Sequence, residues 1–69
     1  MDRDIALFYL EGLVMDYAIA VTKQDAVKAV SVRRGMVKLI ELNKLDVNLD
    51  SMLTDAIIEL TAKLQRTRE

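Results

Sequence analysis

The 69-residue chain has no cysteine, histidine, proline or tryptophan, only two glycines, and no aromatics beyond two tyrosines and one phenylalanine. Without cysteine there is no disulfide framework. Without cysteine and histidine together, the usual ligands of structural zinc are missing. The same two residues are the commonest proton-transfer and nucleophilic groups of enzymes working near neutral pH. No catalytic residue, metal ligand or cofactor site is therefore expected, and the chain does not read as an enzyme. The absence of proline, with glycine only at positions 12 and 35, removes most of the punctuation that an all-β or loop-rich fold requires.

What remains is aliphatic. Hydrophobic residues make up 52% of the chain and aromatics 4%, so the core is built on Leu, Ile, Val, Ala and Met, the composition of a helix bundle. Residues 1–69 are expected to form a single all-α domain. A domain of this size buries a smaller fraction of its surface than a larger one, which makes association a natural source of added stability.

The first helix, expected over about residues 4–21, carries two apolar stripes. Ile5, Phe8, Gly12, Met15 and Ile19 recur at i, i+3, i+7, i+10 and i+14, and Leu7, Leu10, Val14, Tyr17 and Val21 repeat that spacing from another start. At about 100° per residue the two stripes lie on opposite sides of the helix. A chain this short covers one of them with its own segments, and the other needs a partner. The stripe Leu7, Leu10, Val14, Tyr17 and Val21 is read as the oligomer interface. Gly12 costs about 1 kcal/mol in a helix relative to alanine, so either a close helix crossing or simple tolerance explains it.

The second helix is expected over about residues 23–42. Thr22 stands as its N-cap, with Asp25 three residues on as a variant of the capping box. Its main stripe is Ala29, Val32, Met36, Leu39 and Ile40, widened by Ala26, Val30 and Val37. Val27–Val32 also has the composition of a strand, but helical spacing continues past it to Leu42. Asn43-Lys44 is a helix stop. The third helix, expected over about residues 51–66 with Asp50 or Ser51 as cap, places Leu53, Ile57, Leu60 and Leu64 on one seam and Asp55, Glu59, Lys63 and Arg66 on its back. The tail from Gln65 to Glu69 is polar and expected to fray. Asp46 to Asp50 alternates oxygen-bearing residues as an EF-hand loop does, yet Ser51 and Ile57 stand where that loop needs glycine and a bidentate acid.

Charge is unevenly spread. Residues 1–22 sum to −3, residues 23–44 to +4 and residues 45–69 to −2. The bases Lys23, Lys28, Arg33, Arg34 and Lys38 on the second helix are candidate contacts for a nucleic acid or another anion. The competing reading is charge complementarity with the two acidic neighbours, favoured because the chain is net acidic and no aromatic is interleaved to stack a base. The apolar run Ile5–Val21 is interrupted by Glu11 and Asp16, each costly inside a bilayer, so no membrane span is expected, and the cytoplasm is the expected location. The whole reads as a small three-helix protein-protein interaction module. It acts as a regulator, adaptor or assembly protein, binding itself, first of all as a dimer, and another protein. A nucleic-acid-binding oligomer using the basic second helix is the alternative.

Overall fold

The computed structural model describes residues 2–67, which form three helices in order: α1 Arg3–Thr22, α2 Ala26–Asn43 and α3 Leu49–Thr67. No strand occurs among the described residues, and Val27–Val32 is helical with the rest of α2. α3 runs on to Thr67, and of the expected fraying tail Arg68 and Glu69 lie outside the described residues.

All three helices start on a polar side-chain cap, and those of α2 and α3 are not the caps expected. α1 opens on Asp2, whose carboxylate accepts from the Asp4 amide at 2.9 Å. At its other end the Gln24 amide donates to the Val21 carbonyl and the Asp25 amide to the Ala20 carbonyl. Gln24 takes the left-handed conformation at φ 61°. These two bonds form a Schellman motif, which satisfies carbonyls that the helix leaves without partners. Thr22 therefore belongs to the last turn of α1 and caps nothing; its hydroxyl donates to the Ala18 carbonyl at 2.8 Å. Asp25 takes over as the cap of α2, accepting from the Lys28 amide at 3.1 Å.

The same device ends α2. Lys44 is left-handed at φ 50°, and the Leu45 amide donates to the Ile40 carbonyl at 3.0 Å. Asn43, whose side chain could have tolerated that conformation, stays helical and donates to the Leu39 carbonyl instead. α3 is capped by Asn48, which accepts from the Ser51 amide at 3.1 Å, so the helix starts ahead of the Asp50 and Ser51 expected to begin it. Asp50 lies in the first turn, where negative charge meets the positive end of the helix dipole.

α1 is the common support. Both α2 and α3 pack against it, while the backbones of α2 and α3 do not approach one another. The core combines Ala6, Leu10, Val14 and Ala18 from α1 with Met36 from α2 and Leu53 and Ala56 from α3, and Leu45 from the connection closes it. Val32, Leu39 and Ile40 of α2 and Leu49, Met52, Ile57 and Leu60 of α3 pack around its edge. No polar or charged residue is buried among the described residues. The unit measures 17 Å across its thinnest dimension, room for two layers of helix. Among the described residues, only Leu10 and Met36 of the large side chains are buried completely.

Candidate interaction surfaces

The two stripes of α1 have unequal fates: the one expected to be the oligomer interface is mostly covered by the chain's own helices, and the other is left exposed. Leu10 and Val14, read from the sequence as oligomer interface, are buried in the chain's own core; Leu7 and Tyr17 are less deeply placed and pack against it. They are occupied by α2 and α3, because the inner side of α1 also carries Ala6, Ala18 and Ala20, whose small side chains let neighbouring helices come close. Val21 is the exception. It sits at the margin, 38% exposed, beside the α1–α2 connection.

The other stripe is the uncovered one. Phe8 is 74% exposed, Ile5 51%, Met15 40% and Ile19 36%. Gly12, also exposed, stands in their middle. A side chain built at Gly12 would meet nothing within 4 Å. No helix of this chain crosses there, so the close crossing expected at Gly12 is absent from the folded chain itself. Tyr9 and Asp16 border the stripe on one side and Glu11 on the other, all exposed. The sequence pattern contains this stripe. It does not say which of two equally apolar stripes is left outside.

α1 is also the one helix among the described residues long and apolar enough to cross a membrane by length and composition, with a mean hydropathy of 1.6 in its most apolar window. The expectation of no span rests on Glu11 and Asp16, and those two charges do not take the helix below that mark. The core helix of a soluble bundle has the same length and composition.

The five bases picked out on the second helix are not brought together as a set. Arg33, Arg34 and Lys38 line an open depression of about 610 Å³ with Val30, Gly35 and Val37. Lys23 belongs to another, between Ile19 and Thr22 on α1 and Leu60 and Leu64 on α3. Lys28 lines neither. Arg33 reaches across to the first turn of α3, where its guanidinium donates to Asp50 at 3.4 Å, with the two side chains 50% and 85% exposed. That is the only ion pair among the described residues, and it joins the basic helix to an acidic neighbour. Arg34 and Lys38 flank a strip of exposed valines, Val27, Val30 and Val37, a surface that a reading of the bases alone misses. Among the described residues, no three acidic side chains converge in a way that would hold a metal ion.

No family model, no curated protein and no solved structure matches this chain.

Proposed function

We propose that the chain is a small non-enzymatic protein-protein interaction module that acts as a homo-oligomer. The observation that carries this reading is the outer stripe of α1. A helix that already supports both of its neighbours keeps Ile5, Phe8, Met15 and Ile19 in contact with water. Fully burying an aliphatic or aromatic side chain of this size is worth about 1.5–3 kcal/mol, and these four already hide part of their surface, so covering the stripe contributes several kcal/mol toward association. The chain's lack of histidine and cysteine supports a binding role over a catalytic one.

The test is the mass of the protein in solution by light scattering, read with a thermal melt at several concentrations. A mass of two or more chains, with a melting temperature that rises with protein concentration, is the expected result, since coupled folding and assembly obey mass action. A monomer of full helicity and unchanging melting temperature would overturn the proposal.

A second reading, nucleic-acid binding, is favoured by one observation. Arg34 and Lys38 have no acidic partner among the described residues and stand side by side on the outside of α2. Adding duplex DNA or RNA to the same measurement tests it, because phosphate contacts release counterions and weaken steeply with salt.

A further inference from the structure

Resting on the self-association proposed above, we infer that the partner of the outer stripe is the same stripe of a second copy, laid antiparallel across a two-fold axis at Gly12. The spacing carries the inference. Ile5 and Phe8 precede Gly12 by seven and four residues, and Met15 and Ile19 follow it by three and seven. The stripe therefore reads nearly the same in both directions. An antiparallel pairing about Gly12 sets Ile5 of each copy against Ile19 of the other and Phe8 beside Met15, so every exposed apolar side chain of the stripe meets another. The open space above Gly12 becomes the point of closest approach, which gives a reason for a glycine that nothing in its own chain touches.

Charge supports the antiparallel direction. The N-terminal end of α1 carries Asp2 and Asp4 against the single base Arg3, and the C-terminal end is followed by Lys23. Antiparallel helices bring Lys23 of each copy to the acidic end of the other and align the helix dipoles head to tail, whereas parallel helices put acid beside acid. Asp16 and Tyr9 border the same edge, and the two-fold axis keeps that edge on one side of both copies. Each Asp16 carboxylate then lies within reach of the other copy's Tyr9 hydroxyl, a donor and acceptor pair that the protomer leaves unmade. Glu11 points to the opposite edge, about 100° away from the centre of the stripe, where its twin is separated from it by the width of the contact.

The lack of native cysteine makes the geometry directly readable. Ile5→Cys and Ile19→Cys are prepared separately, checked for wild-type helicity, and oxidised alone and as a mixture. A disulfide needs Cα atoms within roughly 7 Å, so the antiparallel arrangement predicts that the mixed product, joining position 5 of one variant to position 19 of the other, exceeds either self-linked product by about tenfold or more. A self-linked Ile5→Cys dimer as the main product means a parallel pairing and overturns the inference, while leaving self-association intact. Phe8→Asp, a second probe, is expected to lower the mass to one chain with helicity retained. A mass unchanged by Phe8→Asp moves the interface to another face and overturns the inference in the same way. A wild-type monomer overturns both proposals, and a monomer that floats with phosphatidylcholine vesicles assigns the stripe to a lipid surface instead.

Discussion

α1 and α3 are nearly equal in length, at 20 and 19 residues, yet they solve opposite problems. α3 is one-sided. Leu53 and Ala56 enter the core, Leu49, Met52, Ile57 and Leu60 pack at its edge, and Asp55, Glu59, Lys63 and Arg66 face water. Covering one side with α1 hides most of its apolar surface and leaves Ile58 and Leu64, the latter expected on the buried seam, in contact with water. α1 is apolar on both sides, and covering one of them leaves the other. The hydropathy of a helix thus says less about its fate than the distribution of that hydropathy around the axis.

The largest expected effect comes from the inner side of α1. Leu10 is fully buried among residues of all three helices, so Leu10→Asp places an unpaired carboxylate in the core at a cost of several kcal/mol. Loss of the cooperative thermal transition by circular dichroism is the expected outcome; a folded variant would mean that the inner side is not the core. The outer side answers differently. Phe8→Asp is expected to keep its helices and lose its partner, read as mass by light scattering. Failure of the helices to form would mean that the two sides of α1 are not separable.

Smaller changes sharpen how α3 is attached. Lys44 holds a left-handed conformation that costs a side-chain-bearing residue about 1–2 kcal/mol and glycine almost nothing, so Lys44→Gly should raise stability by about 1 kcal/mol in a denaturant titration. Arg33→Gln removes the exposed pair to Asp50 and should lower stability by less than about 1 kcal/mol, with the difference vanishing at high salt. The smallest effect is expected away from the core on α3, where the exposed Ile58 should accept aspartate within about 0.5 kcal/mol and with no change in mass.

The number and kind of the elements are legible because helical periodicity survives in every segment, and α3 is the plainest because its apolar residues share one side. The helix stops are harder to read. Glycine usually marks a left-handed residue after a last turn, and here Gln24 and Lys44 take that place without the signal. Thr22 and Asn43 have the chemistry of caps and stops, but each turns its side chain back onto a carbonyl of its own helix. The exposed stripe of α1 is legible as one of two, and the apolar spacing alone does not say which of them is left outside. Ala6, Ala18 and Ala20 hold the missing information, since alanine stripes mark where neighbouring helices come close. The bases on α2 can be counted but not placed, because Arg33 is drawn to Asp50 by a chain reversal that no local pattern encodes.

Because the backbones of α2 and α3 each pack on α1 and not on one another, the molecule is a hub with two spokes. α3 can detach by giving up its contacts to the hub and one exposed ion pair, while the α1–α2 hairpin keeps its tight turn and its own contacts. Amide hydrogens of α3 should therefore exchange through openings smaller than global unfolding, and those on the inner side of α1 only when both spokes are released. Each such opening bares Val14, which lies beside Met52 and Ala56 of α3, and the first apolar helix of fitting shape to arrive, including α3 of another copy, finds a vacant seat.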